Sequence, residues 1–414
     1  MKLDARTLFL LVVVALGVGV VAYRMGAEQG GGPAPQATAP APQPAPAPAA
    51  VPPAPAPESA AAAHARAGVE LPADNGRFTR FRTGNRNVKA LLVDDGVVWV
   101  GTSGGVVRYD PRTEDTRFFD VRSGLLSNGI FYLGKLQGRL AVGTYGGGLS
   151  LLYDAETGSW DNYNIQHGLA DAFVYDVLEA SNGDIWIATW SGANRVRGGR
   201  LDDRAAWDTF TVKNTQGGLP NDWVYGLDEG PDGSIWLATE GGLARFKDGA
   251  WQHWTHDDGL GAPYEKVKEQ NPFQTDPAQV SAHHARQKQE QGLTRVSGAY
   301  NPNYVISMVV TPDGAVWCGT WGGGLARLKD GQWTNFTMDE GLPGNHIFML
   351  HVDRRGRLWV GTNNGLTRYE DGRFTPAITQ RDGLVTSNVF SMADGEDGFY
   401  WIGTFGGVTR MKME

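Results

Sequence analysis

The chain has 414 residues, 37 Lys and Arg against 45 Asp and Glu, and a formal net charge of −8. That balance lacks the basic excess that binding nucleic acid favours, and a single cysteine excludes an intrachain disulfide framework or a Cys-rich metal site. Fourteen Trp and 57 Gly point instead to many short strands joined by tight turns.

The chain opens MKLDAR and then runs without a charge from Leu8 to Tyr23. This run is slightly short for a spanning helix of about 20 residues and slightly long for a signal-peptide core of about 7–15. Lys2 and Arg6 precede it and place the N-terminus in the cytoplasm. The expectation is a cytoplasmic stub and transmembrane anchor over 1–25. The alternative is cleavage at Val20-Val21-Ala22. Both carry the remainder across a bacterial inner membrane into the periplasm. Residues 26–75 form a Pro/Ala-rich linker. Pro33 to Pro57 alternates Pro with Ala, which excludes packed helix or sheet. The reading is a semi-rigid polyproline II spacer reaching roughly 75 Å at about 3.1 Å per residue.

From residue 76 the sequence repeats itself. The phrase is an apolar strand, an Asp/Gly turn, an apolar-Trp-apolar-Gly-Thr strand, then Gly-Gly-apolar, as in VVWVGTSGGVVRY (97–109) and AVWCGTWGGGLARL (315–328). The Trp position reads Trp99, Ala141, Trp186, Trp236, Trp317, Trp359 and Trp401. Each unit parses into four strands, and four-stranded units of about 42 residues make a β-propeller. The fold expected is all-β, a seven-bladed β-propeller over 76–414. The seventh unit ends after its third strand, whereas GRFTRFRTGN (76–85) reads like an outer strand with its connector. Residues 76–83 are therefore expected to complete the last blade and close the ring, removing open edges. Between the fourth and fifth units, residues 261–302 are polar, without Trp or Gly-Thr. They read as an insertion with a helix across 277–291, capped by Asp276-Pro277 and Gly292.

The stretch 341–369 reads Gly-Leu-Pro-x-Asn-x-Ile and then Asp-x-x-Gly-x-Leu-Trp-Val-Gly-Thr-x-x-Gly-Leu-x-Arg-Tyr. It resembles the two-component regulator propeller repeat, and the likeness extends over all seven units. The resemblance implies an extracytoplasmic sensing head like those of membrane-anchored histidine kinases. This chain departs from that pattern: no kinase, DNA-binding or cyclase domain follows Glu414, the second unit lacks the Trp, and Ala188 and Ala238 replace Gly.

In a propeller the turns after Gly-Thr and the connectors between units share one face. The residue after Thr reads Ser103, Tyr145, Trp190, Glu240, Trp321, Asn363 and Phe405. The residue before each first strand reads Asn87, Gly129, Phe173, Trp223, Tyr304, His346 and Asn388. Half of these positions are aromatic, against 10% of the chain. Aromatics gathered on one concave face suit a peptide, a glycan or a protein partner; packing over the neighbouring blade is the other reading. The candidate binding residues are Tyr145, Phe173, Trp190, Trp223, Glu240, Tyr304, Trp321, His346 and Phe405.

Chemistry has less support. His253, His256, Asp257 and Asp258, with His283 and His284, are metal-ligand types, but His253 and His256 diverge on a continuing strand. Asp176, Asp228 and Glu240 lie on first strands or a turn of this face, but the sequence places no two of them together as a glycosidase requires. Tyr153 to Gly158 slightly resembles a pyrroloquinoline quinone enzyme repeat, once. No cofactor, metal or catalytic residue is expected. Cys318 fills a slot held elsewhere by Val, Ile or Leu and reads as a buried hydrophobe. The reading is a non-catalytic periplasmic module, either a docking or scaffold subunit of an envelope assembly or a ligand-binding sensor head. A propeller enzyme acting on a carbohydrate is third.

Overall fold

The computed structural model describes residues 76–270, 285, 288–289, 293–294, 296 and 298–414. These belong to one compact unit, Pro72–Glu414. The anchor and linker expected before residue 76 lie outside the described residues. Among the described residues, no helix is long and apolar enough to cross a membrane.

The unit is an all-β propeller. Five four-stranded antiparallel sheets and one six-stranded sheet follow one another. The fourth repeat shows the plan: an inner strand Val224–Glu229, a second strand Ile235–Thr239, a third Gly242–Lys247 and an outer strand Ala250–Trp254. The inner strands begin at Val88, Ile130, Val174, Val224, Val305, Ile347 and Val389 within their elements. Each lies against the next, and the last, Val389–Asp394, lies against the first.

The six-stranded sheet joins the two ends of the chain. One strand, Phe78–Asp94, is outer at its start and inner at its end. Its first part pairs Phe78 with Met411, Arg80 with Thr409 and Arg82 with Gly407. Its second part pairs Leu91 with Val100 and Leu92 with Trp99. The N-terminal segment therefore supplies the outer strand that the final repeat lacks.

Apolar clusters fill the spaces between successive sheets. Trp99, Trp186, Trp236, Trp317, Trp359 and Trp401 are all buried, each in a different cluster. The repeated Trp is thus the side chain that packs one sheet onto the next, contributing a large apolar area at each interface. Ala141 takes the place in the cluster shared by the second and third repeats, which also contains Tyr163, Leu201 and Trp207. The connector leucines Leu125, Leu169, Leu219, Leu260, Leu342 and Leu384 are buried as well, so the Gly-Leu connectors are anchored.

The Gly-Thr motif has a local cause. The Thr hydroxyl is buried in every repeat and donates to a glycine carbonyl across the following turn, at 2.6 Å for Thr189 to Gly192 and 3.1 Å for Thr404 to Gly407. In five repeats it also accepts from a turn N–H, as from Gly147 at 3.0 Å. Glycine is required at the third-strand start because that strand crosses close to the outer one. At Gly324, φ is +77° and a Cβ would lie 2.2 Å from the Phe336 carbonyl oxygen.

The insertion is described only at its feet. A one-turn helix, Tyr264–Val267, was not expected. Its surroundings are Ala262, Tyr300 and Leu293, with the Tyr300 hydroxyl donating to Ala262 O at 2.8 Å. Lys266 pairs with Glu340, and Gln270 bonds both Asp339 and Asn345, fixing this foot to the next connector. Of the helix expected across 277–291, Ala285, Lys288 and Gln289 are described and are helical; the rest lies outside the described residues.

Candidate functional site

Every inner strand carries a β-bulge at the same place. The register skips one residue between Val88 and Ala90, Ile130 and Tyr132, Val174 and Asp176, and Val224 and Gly226. It does so again between Val305 and Ser307, Ile347 and Met349, and Val389 and Ser391. The skipped residues are Lys89, Phe131, Tyr175, Tyr225, Ile306, Phe348 and Phe390. A bulge re-aims a side chain and frees it from strand pairing. Here the flanking Val or Ile stays buried between sheets while the bulge residue is half-buried.

Bulge residues from successive repeats touch. Phe131 and Tyr175 have ring centroids 4.7 Å apart, Tyr175 and Tyr225 4.9 Å, and Phe348 and Phe390 5.2 Å. Side chains from neighbouring inner strands can meet this way only by converging on the common axis. Above them runs the set read from the sequence. Tyr145 meets Phe173 at 4.6 Å, Phe173 meets Trp190 at 5.0 Å and Trp190 meets Trp223 at 4.0 Å. Trp223 meets Tyr225 at 6.3 Å, Tyr225 meets Tyr304 at 4.9 Å and Tyr304 meets Trp321 at 5.8 Å. Trp321 reaches Phe348 at 6.2 Å, and Tyr145 reaches Phe131 at 5.6 Å. The two tiers form one unbroken chain of aromatic contacts from the second repeat to the seventh. The first repeat contributes Lys89, whose Nζ stands 4.5 Å from the Phe131 ring centroid.

The candidates separate by depth. Tyr145, Phe173, Trp190, Trp223, Tyr304 and Trp321 are half-buried members of the chain. Glu240 and His346 are fully buried beneath it. Glu240 Oε2 lies 3.3 Å from the Tyr225 hydroxyl. His346 Nε2 lies 2.9 Å from Ala299 O, and its ring meets Trp321 edge-on at 4.9 Å. Burial drives the His346 pKa down to about 3, so the imidazole is neutral and donates to that carbonyl. Phe405 is half-buried and pairs with Asn87 through the backbone, but among the described residues no ring contact joins it to the aromatic chain. The bulge residues were missed from sequence. Their signal was a large residue directly after each initial Val or Ile, two places beyond the positions compared.

Charges near the axis are mostly structural. Asp176 accepts from Val177 N at 2.9 Å and, across the sheet boundary, from Leu227 N at 2.8 Å. Asp228 accepts in the same way from Glu229 N at 2.8 Å and Val310 N at 2.6 Å. Burial pushes the Asp176 carboxyl up to about 7 against these bonds, and raises Asp228 as well. Both tie one inner strand to the next. Burial also raises the Tyr175, Tyr225 and Tyr304 phenols, which stay neutral, and lowers the Lys89 ammonium to about 8. Among the described residues, no group of three or more His, Cys, Asp or Glu side chains is placed to hold a metal ion. His283 and His284 lie outside them. Cys318 is wholly buried, and burial raises its thiol far above the ordinary range.

Known proteins share this architecture. The profile of the two component regulator propeller matches residues 168–191 and 341–364. No match was found among curated proteins. Among solved structures, the extracellular domain of BT3049 from B. thetaiotaomicron, described as that of a hybrid two component system, is 18% identical with a TM-score of 0.59. The match covers 81% of this chain and 41% of that one, so the chain spans about two fifths of its length. Virginiamycin B lyase from Staphylococcus aureus, in a catalytically inactive form with quinupristin, is 13% identical over 81% of this chain and 99% of its own, TM-score 0.56. PorZ, a surface component of the type-IX secretion system of Porphyromonas gingivalis, is 15% identical over 81% and 47%, TM-score 0.53. At these identities the likeness is one of fold. Together with the repeats, it identifies the chain as a β-propeller, two stretches of which match the two component regulator propeller.

Proposed function

We propose that this is a seven-bladed, non-catalytic binding propeller that docks a partner through its axis. The six-stranded sheet counts as two blades, the first and the last, sharing the strand Phe78–Asp94. The observation that carries the reading is the unbroken chain of half-buried aromatic rings converging on the axis, six repeats deep. Packing alone does not require it: the inter-sheet clusters already hold the repeat tryptophans, whereas of the seven bulge side chains only Tyr175 packs against such a cluster. Neighbouring rings hold each other at fixed angles, which presents a rigid apolar surface at low entropic cost.

The partner is a protein segment in the cell envelope, and the chain acts as a docking or scaffold subunit held at the bacterial inner membrane by residues 1–25. The linker 26–75 sets the head out into the periplasm. PorZ supports a role in an envelope assembly by likeness of fold. A ligand-binding sensor head signalling through a separate partner is the second reading, favoured by the two-component regulator propeller repeats. An enzymatic role has less support, because Asp176 and Asp228 are committed to backbone N–H groups and Glu240 is buried against Tyr225. The test is the double substitution Trp190→Ala and Trp321→Ala in the full chain. The expected result is loss of partner binding with folding retained. Retained binding refutes the axial reading.

A further inference from the structure

The aromatic chain around the axis has one gap, and a cation fills it. Six of seven bulge residues are aromatic or aliphatic; the seventh is Lys89. Its amine leans on the Phe131 ring at 4.5 Å and, among the described residues, has no carboxylate partner. Residues 76–93 hold five cations and no acid, in a chain whose net charge is −8. Arg82 and Arg86, on the same strand, are exposed and make no ion pair among the described residues. Arg86 lies over the Phe118 ring of the outer strand Asp115–Phe119 and against the turn at Gly104. It is three residues from Lys89, about 10 Å at most along the strand. A half-buried ammonium left without an anionic partner is costly unless something occupies the place beside it.

We propose that this sector of the axis binds a carboxylate carried by an aromatic or apolar ligand, with Lys89 as its counter-ion. The proposal rests on the axial binding reading and names the ligand's chemistry. Charge arithmetic selects the carboxylate: one ammonium neutralises one monovalent anion, whereas a phosphate dianion would leave charge stranded beside the Phe131 ring. The aromatic chain takes the ligand's apolar body. The carboxylate belongs to a small acid or to a peptide, and the two are separable by experiment.

The full chain in detergent is titrated with 3-phenylpropionate and its neutral amide, and with Gly-Phe-Phe as free acid and as C-terminal amide. Calorimetry and tryptophan fluorescence report binding. The acid is expected to bind about ten- to a hundredfold more tightly than its amide, the range of a hydrogen bond to a charged group. Lys89→Gln removes that preference and Lys89→Arg keeps it, at unchanged unfolding midpoints. Preference confined to the peptide acid identifies a protein terminus as the source; preference confined to phenylpropionate identifies a small acid. Equal binding of acid and amide, or an acid preference that survives Lys89→Gln, overturns the inference and leaves the aromatic reading standing. No saturable binding of any probe overturns both.

Discussion

Deleting residues 76–83 from the full chain removes the strand that joins its ends. Five backbone pairs are lost, from Phe78–Met411 to Arg82–Gly407. Phe78 is 4% exposed in a cluster with Met392, Tyr400 and Met411. Phe81 packs at 5.3 Å from Tyr109 and 5.5 Å from Trp401. Truncating a buried Phe costs about 3–5 kcal/mol, and half-buried Phe81 belongs at the lower end. The two rings alone are therefore worth roughly 6–8 kcal/mol, before any loss of strand pairing. Total stabilities run about 5–15 kcal/mol, so the deletion takes most or all of the margin and exposes the edge Val408–Met411. Urea unfolding followed by tryptophan fluorescence, with size-exclusion chromatography, reads the outcome. Phe78→Ala should lower the midpoint by an amount equal to about 3–5 kcal/mol, and the deletion should aggregate. A monodisperse deletion variant with the parent midpoint refutes the closure.

Three further predictions concern buried groups. Asp353 accepts from Trp359 Nε1 at 2.9 Å, Tyr400 Oη at 2.7 Å and Arg357 Nε at 2.8 Å. Burial opposes its ionisation, but these bonds outweigh it and hold the carboxyl below its usual range. Asp353→Asn should cost about 3–5 kcal/mol at pH 7, and the deficit should shrink only below about pH 3.9, where the unfolded carboxyl protonates. For His346 the folded pKa of about 3 lies below the unfolded value. The unfolded state binds the extra proton between those values, so stability falls as pH drops below about 6.5, by up to about 1.4 kcal/mol per unit. His346→Gln should flatten that slope in urea titrations between pH 4 and 7. Cys318 should resist thiol reagents in the folded chain and label only at the rate of unfolding; fast labelling under native conditions would contradict its place in the core.

The repeats made the architecture legible because each Trp-x-Gly-Thr strand meets the same demands. Trp must fill a sheet interface, Thr must brace a turn, and Gly must let two strands cross. The pairing of Phe78–Arg82 with the last repeat was legible for the same reason, since GRFTRF matches other outer strands. Depth was not legible. Trp190 and Glu240 occupy equivalent positions, yet one ring joins the axial chain while the carboxylate lies buried under Tyr225. His346 likewise shares a column with Trp223 but is held against Ala299 by the foot of an insertion. The bulges were hidden because alternation assigns every second residue to a face, and an extra residue breaks that count without changing the composition. Lys89 therefore read as one more polar residue on a strand rather than as the cation at the axis. Phe405 matched its column but has Asn87, not an aromatic ring, beside it.

Site-specific photocrosslinking in intact membranes tests the central claim most directly. A benzophenone side chain is introduced at Tyr175, on the axis, and separately at Tyr153, which is 75% exposed and belongs to no part of the aromatic chain. The account predicts one discrete adduct from position 175, lost with Trp190→Ala and Trp321→Ala, and none from position 153. An adduct from position 153 alone, or from neither, would contradict it.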